Sequence, residues 1–399
     1  MGMETGLYIH LPFCVRKCSY CDFLSFPASE DVRQSYLQVL MKELSAHAAE
    51  HPDTVLRTVY VGGGTPSLMR PAAMDMLFGH IRETFRPVSS WDQIEITMEV
   101  NPGTVDRDKF AAMKRAGVNR LSIGVQSADD EELRRLGRIH TFREAEEAFY
   151  AAREAGFDNI SLDLMSGIPG QSEESFRESV RKILALRPEH LSVYSLILEP
   201  GTPFYRMYVA GEDSFGNPVL TEKGKQELPD EELDRALYLL TGEMLADAGY
   251  HRYEISNYAL PGKESVHNSS YWRRIPYIGA GLGASGFLQD VRWRNTDSLQ
   301  DYLSWDGMHT GDLQMEQQQL DRKDAMEEML FLGLRMADGV AKDDFRRCFG
   351  EDLSGIYGDV IRKHIEEGLL LDDGDRIFLT ERGMDLANYV LSDFIIDED

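Results

Sequence analysis

The stretch YIHLPFCVRKCSYCDF, residues 8–23, decides the fold. It sets Cys14, Cys18 and Cys21 in a C-x3-C-x2-C pattern, while the remaining cysteine, Cys348, lies far along the chain. A disulfide framework shows an even, dispersed set of cysteines. Three crowded thiols point instead to a metal or cluster in a reducing compartment. Three thiolates can hold three irons of a [4Fe–4S] cube and leave the fourth open to an outside ligand. Structural zinc is the competing reading. Zinc wants four closed ligands and this loop offers three, with His10 on the preceding strand as the candidate fourth. The spacing and the missing ligand favour the cluster.

Working outward, residues 7–10 form a short apolar run that stops at Pro12, a strand leading into the cysteine loop. Residues 58–61 read as a second strand, closed by Gly62, Gly63 and Gly64. Residues 94–100 alternate Ile94, Ile96, Met98 and Val100 with Glu95, Thr97 and Glu99, then turn at Asn101-Pro102-Gly103. A unit then recurs. Ala116-Gly117, Ala155-Gly156 and Ala248-Gly249 each close a helix and precede a strand, at residues 120–125, 159–165 and 252–255. Each glycine sits where a left-handed helix C-terminus belongs. A further strand spans 190–198. Roughly six such units predict an α/β fold, a partial or complete TIM-like (β/α) barrel. The cysteine loop then lies at the C-terminal face, where such barrels carry their sites.

Three units are expected: a barrel core over 1–230, an extension over 231–309, and a small α+β domain over 310–399. In the last, helices at 327–336 and 356–367, a hairpin over 369–379 and a helix over 381–394 capped by Thr380 resemble a winged helix. DNA recognition is one reading of that shape. A small structural or docking domain is favoured, because the tail is acidic where phosphate contact needs Lys and Arg. Cys348 lies on a helix face there and reads as buried and inert.

The chain has 399 residues, 42 basic and 68 acidic, for a formal charge of −26. That balance opposes nonspecific binding to nucleic acid or an anionic membrane. No apolar run is long enough to span a bilayer, and no secretion signal is expected from the first residues. A cytoplasmic protein with small-molecule or protein partners is expected.

The C-x3-C-x2-C loop is the signature of the radical S-adenosylmethionine (SAM) superfamily. The sequence around it resembles the oxygen-independent coproporphyrinogen III oxidase family. The resemblance runs through GGGTPS (62–67), EVNPG (99–103), RLSIGVQS (120–127), LGRIH (136–140), DLMSGIPG (163–170), EPGT (199–202), YEISN (253–257) and HNSSYW (267–272). The decarboxylating branch has a further cysteine two residues after the third; here that position is Phe23. With the HNxxYW segment, this points to the HemW-type heme-chaperone branch. The alternative is the decarboxylase, and a zinc-stabilised interaction protein is a third reading. The family often shows Gly-Ala-His where this chain has Gly283-Ala284-Ser285, and serine cannot ligate heme iron as histidine does.

The resemblance implies a [4Fe–4S] cluster on Cys14, Cys18 and Cys21, with SAM on the open iron. It also implies heme as cargo, acceptor apo-hemoproteins, an electron donor such as flavodoxin or ferredoxin, and a homodimer. Gly63, Gly64 and Thr65 are carried over as the seat of the SAM amino group. A tight turn is the bland reading of those glycines. Glu99, Gln126, Arg138 and Asp163, at or after strand ends, are carried over as SAM contacts; a solvated edge charge is the competing reading for Glu99, and a surface charge for Arg138. Tyr8 and Tyr20 flank the cluster, shielding it from water or simply packing. His267 is the candidate heme ligand, with Tyr271 and Trp272 to stack on a porphyrin face. A lone histidine is more often structural, and the resemblance is what raises the functional reading.

Overall fold

A computed structural model of the chain describes residues 2–214 and 216–395. Met1 and residues 396–399, the outer ends of the expected first and last units, lie outside the described residues. The core alternates strand and helix. It runs β1 (Met3–Leu11), α1 (Glu30–Glu50), β2 (Thr54–Gly63), α2 (Pro71–Thr84), β3 (Glu95–Val100), α3 (Arg107–Arg115), β4 (Arg120–Gln126), α4 (Asp130–Leu136), α5 (Phe142–Glu154), β5 (Ile160–Ser166), α6 (Glu173–Leu186) and β6 (His190–Ser195). The six strands are parallel in chain order across the sheet. Helix ends follow local sequence. Thr141 and Glu144 form a reciprocal capping box on α5. Gly117, Gly156 and Gly249 adopt φ of +89°, +89° and +88°, as their positions after helices predict.

The sheet does not close. After α7 (Glu231–Asp247), β7 (Asn257–Ala259) pairs antiparallel with β6. The expected strand at 252–255 is only His251–Arg252, antiparallel to β7 at the sheet edge. So the third helix–glycine–strand copy is not a barrel unit. Helix α8 (Val266–Trp272) follows. Beyond β1, β8 (Tyr277–Ala280) adds in parallel. Then β9 (Ser285–Leu288), β10 (Val291–Asn295) and β11 (Gln314–Gln319) continue as an antiparallel meander. The architecture is a partial barrel.

The alternation in β3 has a cause other than solvent exposure. Ile96, Met98 and Val100 pack into the main apolar core. Glu95 and Glu99, on the other face, bond to α8 and to Tyr60 rather than to water. The same period of two places Thr58 and Tyr60 of β2, Ser122 of β4 and Asp163 of β5 in this polar interior. Asp163 is thus mid-strand, not at a strand end.

The tail forms its own apolar cluster, from Ala325 to Phe394. Its helices are Arg322–Gly333, Lys342–Phe349 and Leu353–Glu366, with strands Val340–Ala341, Leu370–Asp372 and Arg376–Leu379. Three helices precede the hairpin, one more than expected. The expected last helix is two, Glu381–Asp385 and Ala387–Ser392, broken at Leu386 with φ −109° and ψ 27°. Thr380 does cap the first of them, accepting from the Gly383 N–H. Cys348 is exposed, not buried: the apolar face of its helix is carried by Phe345 and Phe349. β11, within the expected 310–399 unit, pairs in the large sheet.

Candidate functional site: a cysteine-lined cleft and an adjoining cavity

The cysteine loop follows β1 and is pinned at both ends. Cys14 N–H donates to Phe26 (3.1 Å) and Phe26 N–H to Pro12 (2.9 Å). Ser19 N–H donates to Leu136 (3.0 Å), and Arg16 donates to Gly137 (2.7 Å), tying the loop to the end of α4. The loop passes very close to the end of β2. A Cβ on Gly64 would lie 2.7 Å from the Phe13 carbonyl oxygen, and one on Gly63, at φ +109°, 2.6 Å from the His10 ring. Gly64 therefore makes room for the cysteine loop, and Gly63 for the His10 side chain of β1.

The loop caps a cleft of about 140 Å³ at the C-terminal ends of the strands. Cys14, Cys18, Cys21, Tyr20, Gly63, Gly64, Thr65, Glu99, Gln126, Arg138 and Asp163 all line it. Thr65 Oγ1 donates toward Cys14 Sγ (3.4 Å). Arg138 donates to the Gly124 carbonyl (2.7 Å) and lies 3.8 Å from Cys18 Sγ. It is half-buried in the cleft and not a surface charge. Its neighbour Arg134 is the exposed one, paired with Glu131. Gln126 holds φ +71°, unusual for a side-chain-bearing residue, where the β4–β5 register shifts. Its Oε1 accepts from Tyr194 (2.8 Å).

Two carboxylates face this cleft. Glu99 accepts from Tyr60 Oη (2.9 Å) and Gly63 N–H (3.0 Å). Burial pushes its pKa up to about 7, with Asp163 adding to the rise. Asp163 accepts from Ser122 (3.0 and 3.1 Å), and burial raises it to about 6. Burial likewise raises the Cys21 thiol.

A second cavity, about 760 Å³, adjoins the first. Lys17 and Phe23 border both. Tyr8, Tyr271 and Trp272 line the second cavity, with Tyr277, Ser285, Arg292 and Arg294. Tyr8 thus faces this space and not the cluster cleft; its hydroxyl meets His10 Nδ1 at 2.9 Å. His267 lines neither cavity. It is 1% exposed. Its Nδ1 meets Thr58 Oγ1 at 2.7 Å and its Nε2 meets Tyr271 Oη at 2.8 Å. Its ring stacks on Tyr60 at 5.0 Å, and burial lowers its pKa to about 3. With both nitrogens engaged, His267 supports Tyr271 from behind rather than presenting a nitrogen to a ligand. Glu95 holds the start of α8, accepting from the Val266 and His267 N–H groups at 2.9 Å each.

Residues 8–183 match the model of the radical SAM superfamily, and residues 320–386 match the HemN C-terminal domain. A Bacillus subtilis protein named heme chaperone HemW is 36% identical over 97% of this chain and 98% of its own. An Escherichia coli protein of the same name is also 36% identical, over 98% of each chain. The chain belongs to the HemW family of radical SAM proteins. The structure of Escherichia coli coproporphyrinogen III oxidase (HemN) covers 99% of the chain and 90% of its own, with a TM-score of 0.81 at 21% identity, a likeness of fold.

Radical SAM proteins use a [4Fe–4S] cluster and SAM, and the cleft suits both. Among the described residues, the three cysteine sulfurs do not converge within 4.8 Å of one another. A single zinc ion at about 2.3 Å from each sulfur would draw them to about 3.8 Å apart, whereas corners of a cube stand wider. Arg138 Nε is buried in the cleft without a partner, a cation and donor left for an anionic group. Cys14, Cys18 and Cys21 would hold the cluster, which supplies an open iron for SAM. Glu99 and Asp163 line the same cleft as the three cysteines. Sequence reasoning missed Tyr60, Ser122, Tyr194, Lys17, Arg292 and Arg294. Period-two polar positions on the strands carried the signal for all of them except Lys17; Arg292 and Arg294 flank the buried Trp293 on β10.

Proposed function

We propose that this protein is a heme chaperone: it binds heme beside a SAM-ligated [4Fe–4S] cluster and passes it to acceptor apo-hemoproteins. The adjoining second cavity carries the reading. Heme is a flat aromatic macrocycle with two carboxylates. Tyr8, Phe23, Tyr271 and Trp272 offer aromatic surface for it. Arg292 and Arg294 stand at the same cavity, and guanidinium groups match carboxylates in geometry and charge. Phe23, where the decarboxylating branch carries cysteine, borders both spaces. It adds apolar contact for cargo in place of a reactive thiol. The cytoplasm, with a flavodoxin- or ferredoxin-like electron donor and a homodimeric assembly, is the setting this reading favours. The described residues include no helix long and apolar enough to cross a membrane.

The test is heme titration of the cluster-loaded chain without air, alongside incubation with coproporphyrinogen III, SAM and a reductant. A saturable Soret band and no CO2 release are expected. CO2 release with protoporphyrinogen formation would make the protein the decarboxylase instead. Arg292→Ala/Arg294→Ala should weaken heme by about tenfold to a hundredfold, the loss of one or two charge-assisted bonds. The dimethyl ester of heme should bind the variant and the parent alike.

A further inference from the structure

Six histidines are buried among the described residues. Five have at least one ring nitrogen hydrogen-bonded: His10, His140, His190, His267 and His364. His47 has neither nitrogen bonded, although it is 1% exposed. An orphaned buried polar group costs about 1–3 kcal/mol, so a native chain rarely leaves two on one ring. Glu43 Oε1 is 3.8 Å away, and that carboxylate is already committed to Gly281, Asn295 and Tyr302.

What surrounds His47 is a donor set. His47, Glu50 and His51 fall at i, i+3 and i+4 at the end of α1, so they share one side of it. Ligand atoms from all three lie within 4.8 Å of one another. Glu50 is positioned by Thr310, which donates to it through its N–H (3.0 Å) and its hydroxyl. His309 Nδ1 is 4.0 Å from the same carboxylate. Trp293 stacks on the His47 ring at 6.3 Å and closes the apolar side. We propose that His47, Glu50 and His51 form a site for a divalent transition ion of the zinc class, with His309 in reach as a fourth ligand.

Two imidazoles and a carboxylate suit such an ion and exclude the all-oxygen preference of Ca2+ or Mg2+. The site is independent of the cluster. Helix α1 starts after the cysteine loop and ends here, and its 21 residues span about 30 Å. A bound ion would tie the end of α1 to the segment around Thr310. That is a structural role, and it does not depend on what the cleft binds.

The test is zinc titration of the full chain with its cluster loaded, so that the cysteines are occupied, read by calorimetry and by zinc-edge X-ray absorption. One equivalent should bind, with only nitrogen and oxygen ligands at about 2.0–2.2 Å. His51→Ala and Glu50→Gln should each weaken it more than about tenfold while leaving cluster absorbance unchanged. These two carry the test because His47→Ala opens a cavity in the core. No zinc binding, a sulfur shell at about 2.3 Å, or equal affinity in both variants would overturn the site.

Discussion

At the scale of single residues, the barrel interior turns on charges that were visible but misplaced by pattern. Glu99 reads as an edge charge in an alternating strand. In the fold it is an inward carboxylate whose ordinary acidity is suppressed by burial. Asp163 is the same case. Their folded pKa values of about 7 and about 6 lie above unfolded values near 4.5 and 3.8. The folded chain therefore binds more protons than the unfolded chain in this range, and stability falls as pH rises through 6 and 7. We expect the SAM-free chain to melt at a lower temperature at pH 8 than at pH 6. A SAM cation stabilises both carboxylates in charged form, so its affinity should rise over the same interval. Glu99→Gln/Asp163→Asn should flatten the melting trend; an unchanged slope would remove these groups as its cause. His267 is the other residue whose meaning changed. Its motif is legible in the sequence, but its burial against Thr58 and Tyr60 is a tertiary fact. His267→Ala should cost about 2–4 kcal/mol in denaturant unfolding, from a core void and an unpaired Tyr271 hydroxyl. The folded fraction should keep its heme spectrum. A lost axial-ligand signature in a fully stable variant would restore His267 as the ligand.

At the scale of elements, what could be read ahead was local. Helix-closing glycines, the Thr380 cap and the strand leading to the cysteines all depend on residues within a few positions. The edge strands did not read correctly. His251–Arg252 follows a helix and glycine just as β4 and β5 do, yet it runs antiparallel. Strand direction is set by which neighbour is free, and no local pattern carries that. The join between loop and strand was half legible. GGG announced a close approach, but not that Phe13 of the cysteine loop makes it. Gly64→Ala should push that loop outward, because the clash is with backbone, which cannot rotate away. We expect iron and sulfide per chain to fall well below the parent's, with secondary structure intact by circular dichroism. Full cluster occupancy in this variant would show that the loop has slack.

At the scale of the molecule, the tail is tied to the second cavity. Glu328 accepts from Arg274 and Arg292 at 2.6 Å each, and Leu332 of the same helix lines that cavity. The sequence showed a separate acidic tail; it did not show that its first helix orders a cavity arginine. Glu328→Ala should free Arg292 and weaken heme binding several-fold, while SAM affinity holds; equal losses in both would mean general unfolding. All of this rests on one arrangement, three cysteines around a cube whose fourth iron meets SAM. The direct measurement is electron paramagnetic resonance of the anaerobically reconstituted, reduced chain, with iron and sulfide assays and with and without SAM. About four irons and four sulfides per chain and a spectrum that shifts on adding SAM are expected. Zinc in place of iron, or a spectrum indifferent to SAM, would contradict the account.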